Sequence, residues 1–169
     1  EQKKQCFATK SGWVLENGAL TGNDNPNADP EILVAIGELA TSIGAADITE
    51  IEFITTAFDV SDGGTLQVRV RFNEAVDVTG TPQLTVVNDS RANHTLSYAS
   101  GTGSNELVFS LTIAAGGGGV IADGDELSIG ANATALNGGT IKDAGTNTAS
   151  TITNAAGVGT AAGTITATA

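Results

Sequence analysis

Apolar and polar residues alternate with a period of two along most of the chain after residue 48. Every second residue is apolar between residues 66 and 72, and the same pattern recurs between residues 106 and 113. Such alternation is typical of a β-strand that turns one face toward a core. Further strands are predicted at 83–87, 95–98, 126–129 and 164–168, each bounded by turn-forming residues.

The number and spacing of these strands favour an all-β fold. Seven or more short strands with turns between them predict an antiparallel β-sandwich over residues 49–169. We expect the two long runs to be its central strands. The predicted core consists of Ile51, Phe53, Leu66, Val68, Val70, Phe72, Leu84, Val86, Leu107, Phe109, Leu111, Ile113, Leu127 and Ile129.

Residues 1–48 differ in composition from the rest and form a predicted leader. An Asn-Gly pair at residues 17 and 18 separates two short apolar runs. Asn-Gly in this setting is the strongest short-range signal for a β-hairpin, because both residues tolerate the positive φ of a type I′ turn. We therefore predict a hairpin over residues 12–20.

A helix is predicted over residues 30–43. Asp29 can cap its N-terminus, Pro30 suits the first helical position and Glu31 complements the helix dipole. Because a helix of this length is marginal alone in water, we expect its apolar face to dock on the sandwich or on a neighbouring subunit. That face consists of Ile32, Leu33, Ile36, Leu39, Ala40 and Ile43.

The segment from residue 146 to residue 169 consists almost entirely of Ala, Thr, Gly, Ser and Asn. Only Ile152, Val158 and Ile165 interrupt this composition. An exposed segment of this kind behaves as a flexible linker. We expect a closing pair of strands, or packing against another subunit, to order it.

Composition and charge narrow the range of functions. With 7 Lys and Arg against 19 Asp and Glu, the net charge is -12 and the pI about 4.1, so nucleic acid is not an expected partner. One His and one Cys exclude the usual zinc sites and Cys-His nucleophile pairs, and we predict no enzymatic activity. Because the sequence has no apolar run of about 18 residues, a membrane is not an expected partner either.

Acidic loops supply the candidate metal ligands. Asp123 and Asp125 flank Gly124, and Asp143 lies in a loop that could converge with them. Carboxylates are ligands that Ca²⁺ prefers. A tight turn explains the Asp-Gly-Asp spacing as well and is the preferred interpretation, with Ca²⁺ at Asp123, Asp125 and Asp143 as the alternative. No other cofactor is expected.

Two further polar features have structural interpretations. His94 begins a strand with no second His and no neighbouring Cys, and we expect it at the surface or at the edge of a turn. Arg69 and Arg71 form the polar face of one strand. On so acidic a chain, we expect them to pair with acids of adjacent strands, such as Glu52 or Glu106. A stripe that binds a partner is the alternative.

Three segments of the predicted sandwich carry a family likeness. They read F-x-E-A-V followed by G-T-P-x-L at 72–84, Y-x-S-G-x-G-x-N-x-L-x-F at 98–109 and L-N-G-G-x-I-x-D-A-x-x-N at 136–147. The pattern resembles the bacterial Ig-like modules repeated in large surface adhesins and covers about residues 49–152. The resemblance implies an Ig-like antiparallel β-sandwich that acts as a spacer or binding unit and not as a catalyst.

One copy of this pattern follows the leader. This organisation is similar to decoration, knob and fibre-associated proteins of tailed phages, and residues 9–18 look like N-terminal segments of phage virion proteins. The resemblance implies a structural protein on the virion surface, attached through its leader to a capsid or tail protein lattice as a homo-oligomer or as lattice copies. The alternative is a secreted or cell-surface adhesion module that binds a host-surface glycan or a protein, with Ca²⁺ as a further ligand.

Attachment is predicted to involve Phe7, Lys10, Trp13, Val14 and Leu15. Aromatic anchors beside cations are typical of interface cores and their rims. A lattice surface that repels the acidic sandwich would attract this basic segment. The alternative is that Phe7 and Trp13 cover the open end of their own sandwich.

Overall fold

The computed structural model of the protein describes residues 6–9, 12–15 and 31–35 as strands, and residues 45–169 throughout. The chain divides into two compact units, Glu1–Ile43 and Gly44–Ala169. The predicted boundary between leader and sandwich lay at residues 48 and 49. The second unit includes the residues just before that point, since Ala46 is fully buried in its core.

The described part of the first unit is a three-stranded antiparallel sheet. Its strands are β1 (Cys6–Thr9), β2 (Gly12–Leu15) and β3 (Glu31–Ala35), in the order β1-β2-β3. The first strand of the predicted hairpin at 12–20 is therefore present as β2. Its partners are β1 and β3, and residues 16–20 lie outside the described residues.

The helix predicted over residues 30–43 is wrong for Glu31–Ala35, which form β3. Three consecutive apolar residues, Ile32, Leu33 and Val34, fit a strand as well as a helical face, and two of them are β-branched. Antiparallel pairing with β2 supplies the hydrogen bonds that favour the strand over the helix. Residues 36–43 lie outside the described residues.

The second unit is built mainly from strands, and its described helical segments are a 3-10 turn at Ala115–Gly119 and the short helix α1 at Ala156–Thr160. The all-β prediction is thus confirmed. Its strands are β4 (Ile48–Phe53), β5 (Phe58–Asp59), β6 (Gly64–Thr79), β7 (Gln83–Asn88), β8 (His94–Ser100), β9 (Ser104–Ile113), β10 (Glu126–Ser128), β11 (Thr134–Ala135), β12 (Thr140–Asp143) and β13 (Ile165–Thr168).

Within the second unit, hydrogen bonds join these ten strands into one sheet that curls into a half-barrel. The order is β12-β6-β9-β8-β7-β10-β13-β5, with β4 also on β6 and β11 also on β7. The pairs are antiparallel except for β13 with β5, which is parallel. The two long strands that were predicted to be central, β6 and β9, are neighbours and have partners on both sides.

The core follows the predicted alternation. Twelve of the predicted core residues are buried, and the other two, Phe53 and Leu111, are partly buried against them. Further positions in strands and loops complete the core. These additional buried residues are Ala46, Phe58, Val60, Val76, Leu96, Ile121, Ala133, Ile141, Ile165 and Ala167.

The Ala- and Thr-rich tail is ordered by the closing strand pair that was expected. β13 lies between β10 and β5, and buries Ile165 and Ala167. Before it, α1 packs so closely that a Cβ at Gly159 would come within 2.5 Å of the carbonyl oxygens of Ile129 and Gly130. A glycine is required there by the close approach of two backbones.

Two leucines provide a matched test of the core. Leu96 is fully buried, whereas Leu136 is 38% exposed. We expect Leu96→Ala to lower the free energy of unfolding by about 2 to 5 kcal/mol, since it leaves a cavity. Leu136→Ala should change it by about 0.5 kcal/mol or less. Urea denaturation of both variants measures the difference, and equal losses would contradict the core described here.

The two glycines of α1 provide a second matched test. Gly159→Ala should destabilise the protein by about 1 to 3 kcal/mol, because the added methyl group collides with backbone carbonyls. Gly157 has no heavy atom near its missing Cβ, so Gly157→Ala should be neutral or stabilise by up to about 1 kcal/mol. Thermal unfolding of the pair provides the comparison, and a stabilising Gly159→Ala would contradict this packing.

Candidate functional site

Glu74 occupies a core-facing position of β6. The buried residues of this strand recur at every second position, from Leu66 through Phe72, then at Glu74 and Val76. Glu74 is only 9% exposed. The alternation of buried and exposed residues along β6 therefore places the carboxyl group of Glu74 on the core side.

Asp143 lies beside Glu74 on the neighbouring strand. It ends β12, where Ile141 and Asp143 are the buried positions, and it is 1% exposed. Asp143 is the register partner of Val76, and the amide of Ala144 donates a 2.9 Å hydrogen bond to the carbonyl of Ala75. This pairing places the carboxyl groups of Glu74 and Asp143 near enough for each to shift the pKa of the other.

Each of these carboxyl groups keeps one buried oxygen without a protein donor. Asp143 Oδ1 accepts hydrogen bonds from the backbone amide and the hydroxyl of Thr146, at 2.6 and 2.9 Å. Asp143 Oδ2 and Glu74 Oε2 are buried and have no hydrogen-bond partner among the described residues. The pair therefore needs a proton or a cation to satisfy it.

The two acids respond to this environment in opposite directions. Burial raises the pKa of Glu74, and the adjacent Asp143 and the more distant Asp47 raise it further. The amide of Thr146 lowers the pKa of Asp143 despite its burial, and the Thr146 hydroxyl adds to this effect. A proton shared by the pair is thus held mainly by Glu74.

A second polar cluster lies around Asn88 at the end of β7. Asn88 Oδ1 accepts from the amides of Ser90 and Arg91, each at 3.0 Å, which fixes the orientation of its amide group. Its Nδ2 then donates to Asp125 Oδ2 at 3.0 Å and faces His94 Nε2 at 3.4 Å. His94 Nε2 is accordingly the acceptor of this contact.

Asp125 has several donors on one carboxylate oxygen, in contrast to the pair at Glu74. Besides Asn88, its Oδ2 receives the amide of Ala122 at 2.9 Å and the Arg91 guanidinium at 3.0 Å. The Asn88 hydrogen bond is the main reason why the pKa of Asp125 lies below its ordinary value, since burial opposes it. These contacts attach the turn at residues 123–125 to the end of β7.

His94 begins β8 at the edge of the turn that follows β7, which was one of its two predicted positions, but it does not lie at the surface, since it is only 4% exposed. Burial lowers its pKa, and the Asp125 charge offsets this in part, so the ring is neutral at physiological pH. The side-chain amide of Asn88 is the hydrogen-bond partner of this buried ring, which the sequence alone does not identify. His94 also borders a cavity of about 390 Å³ between residues 92–95, residues 111–114 and the 3-10 turn.

The three carboxylates predicted to bind Ca²⁺ do not come together. Asp123 Oδ1 accepts the amide of Ala169 at 3.0 Å, while Asp125 and Asp143 belong to the two separate clusters above. In residues 45–169 and the described leader strands, no group of three or more His, Cys, Asp or Glu side chains is arranged around a metal position. The turn interpretation fits Asp123 and Asp125, because Gly124 between them has φ +84°.

The predicted ion pairs of Arg69 and Arg71 are confirmed. Arg69 pairs with Glu52, and Arg71 Nε lies 2.7 Å from Glu106 Oε1. Glu50 joins them, with Oε2 3.0 Å from Arg71 Nη1. These side chains line the face of β4, β6 and β9 opposite the core, where solvent screens the charges and each pair contributes little to stability.

The predicted partner-binding residues fall in the first unit. Phe7 lies in β1 and Trp13, Val14 and Leu15 lie in β2, with Phe7 and Val14 as register partners. Lys10 lies outside the described residues. Their role in attachment stays a prediction.

Comparison with protein-family models, with curated proteins and with solved structures finds no match to this chain. In the described residues, no helix is long and apolar enough to cross a membrane. The function must therefore be argued from the geometry and charges of the second unit.

The acid pair was missed in the sequence, although a signal for it exists. Counting by two from Leu66 reaches Glu74 before Val76, so an acid stands where the strand pattern requires a core residue. The same count along β12 places Asp143 on the face of Ile141. What the sequence could not supply is the pairing of β6 with β12, which brings the two acids together.

The pair predicts a specific dependence of stability on pH. Because the folded state raises the pKa of Glu74, protonation of Glu74 stabilises the fold. This contribution is complete below the ordinary Glu pKa of 4.5 and is lost as the pH rises through the raised value. In a buffer that contains a chelator of divalent cations, the free energy of unfolding of Glu74→Gln should therefore rise above that of the wild type as the pH rises. The two values should converge in acid.

Denaturant unfolding between about pH 4 and pH 8 measures this difference. The matched control is Asp77→Asn, which removes an acid from an exposed position of the same strand. It should show no such pH-dependent gain. Parallel curves for the wild type and Glu74→Gln would contradict the assignment.

Proposed function

We propose that this chain is a structural, non-catalytic surface protein whose second unit is an Ig-like display module. In its specific form, the protein decorates or forms a knob on a tailed-phage virion, attached through its leader to the capsid or tail lattice. The motifs that resemble bacterial Ig-like modules support this form. They fall on β6 to β9 and on β12, which make up much of the half-barrel.

The observation that carries the proposal is the position of the first and last strands of the second unit. Asp47, just before β4, exchanges hydrogen bonds with Asn73 at 2.8 and 3.0 Å. At the other end, the carbonyl of Thr168 in β13 accepts a hydrogen bond from the amide of Val60, shortly before β6 begins at Gly64. Along β6, Gly64 and Asn73 are nine residues apart, which is about 30 Å of strand. A module with this arrangement spans distance, as a spacer or display unit must.

The charges of the second unit suit an exposed position. It contains thirteen acidic and four basic residues. Three of its arginines are held in ion pairs by its own carboxylates. The remaining negative charge favours solubility and disfavours contact with nucleic acid or an anionic membrane surface.

The second candidate is an adhesion module on a cell surface or in the extracellular space. The cavity beside His94 is the observation that favours it. Its volume of about 390 Å³ falls within the range typical of small-ligand sites. A glycan or a protein side chain bound there would place the protein in this class, whereas particle attachment through the leader would not need the cavity.

Removal of residues 1–15 tests the first proposal. This deletion removes all five predicted anchors, so sedimentation with purified virions should fall at least about tenfold, as for loss of interface hot spots. The melting temperature of the second unit should stay unchanged. As a control, Ile54→Ser removes an apolar side chain that is 41% exposed in the second unit, and should leave binding intact.

The outcomes separate the alternatives. A protein that does not sediment with virions but binds cells or glycans fits the adhesion module and excludes the virion role. Loss of stability after the deletion would mean that Phe7 and Trp13 belong to an intramolecular core, and the anchoring proposal would fail.

A further inference from the structure

The acid pair differs from the other buried carboxylate of the second unit in how it is satisfied. Asp125 is 4% exposed and receives Asn88, Ala122 and Arg91 as donors. Glu74 and Asp143 are buried to a similar extent, yet each retains an oxygen without any donor among the described residues. Asp125 thus has three donors, whereas Glu74 and Asp143 each have a buried oxygen with none among the described residues.

No cationic side chain neutralises the pair. The three arginines of the second unit bind Glu50, Glu52, Glu106 and Asp125, and no ion pair in residues 45–169 reaches Glu74 or Asp143. A third negative charge, Asp47, acts on Glu74 from the start of β4. Unpaired buried charge of one sign is strongly unfavourable. The compensating charge must come from outside the chain.

The donors present are those that a hard divalent cation prefers. They are the carboxylate oxygens of Glu74 and Asp143, one on each side chain without a partner. Asp47 stands at the rim, and its backbone is fixed by Asn73. Ca²⁺ accepts such irregular oxygen sets, whereas Mg²⁺ requires near-octahedral geometry.

We infer that Glu74 and Asp143 form a binding site for a divalent cation, with Ca²⁺ as the best fit, beside the point where Asp47 leads into β4. This site differs from the predicted set of Asp123, Asp125 and Asp143. It shares Asp143 alone and draws its second carboxylate from the core face of β6. It also stands independently of the proposed function.

The affinity expected is that of extracellular calcium modules, with a Kd of about 0.1 to 1 mM. Calorimetric titration of the full chain with CaCl₂ at neutral pH should reveal one such site. Thermal unfolding in about 10 mM CaCl₂ should exceed that in EDTA by roughly 3 to 10 °C. MgCl₂ at the same concentration should give a smaller shift.

Matched variants locate the effect. Glu74→Gln preserves side-chain volume and removes one ligand charge, so the calcium-dependent shift should be lost. Asp77→Asn removes one charge from the exposed side of the same strand and should keep the shift. A shift that survives Glu74→Gln would overturn the site.

A measurement on the wild type keeps the inference testable if Glu74→Gln does not fold. In a heteronuclear NMR titration with CaCl₂, the amides of Ala75 and of residues 144–146 should move together and saturate. Shifts centred on residues 122–126, or spread over the acidic surface, would refute it. So would the absence of any calcium effect, in which case a shared proton satisfies the pair.

Discussion

The second unit depends on the register of one sixteen-residue strand, β6. Its alternate residues from Leu66 to Phe72 are buried, and each contributes roughly 2 kcal/mol by leaving water. Its two edges carry β9 on one side and β4 and β12 on the other. A slip of one residue would turn Arg69 and Arg71 into the core, so burial on one face fixes the position of every neighbouring strand.

The same constraint explains why acids lie inside the protein. Glu74 shares the inward face of β6 with Phe72 and Val76, so it cannot leave without moving them. β12 adds Asp143 beside it through an antiparallel pairing that also buries Ile141. The site is thus held by the hydrophobic core around it, and its two carboxyl groups are brought together at an energetic cost that an external cation or proton offsets.

Charge is distributed so that the two faces of the sheet have different roles. On the outer face, arginines and glutamates of three adjacent strands neutralise one another near the surface. On the inner face, Glu74 and Asp143 have no cationic partner among the described residues, whereas the buried Asp125, in the turn before β10, receives three donors on Oδ2. The negative charge that remains on the second unit favours solubility and disfavours contact with anionic surfaces.

The sequence by itself determined the all-β class, the long strands β6 and β9, most of the core and the pairing of Arg69 and Arg71 with nearby acids, because a period of two specifies which face is buried. It misassigned Glu31–Ala35 and missed the burial of His94, since a short apolar run fits two structures and a lone histidine shows no partner. Only the tertiary structure decided which strands became neighbours. Asn88 therefore met Asp125, and Glu74 met Asp143, through contacts between residues distant in sequence, which local patterns do not encode.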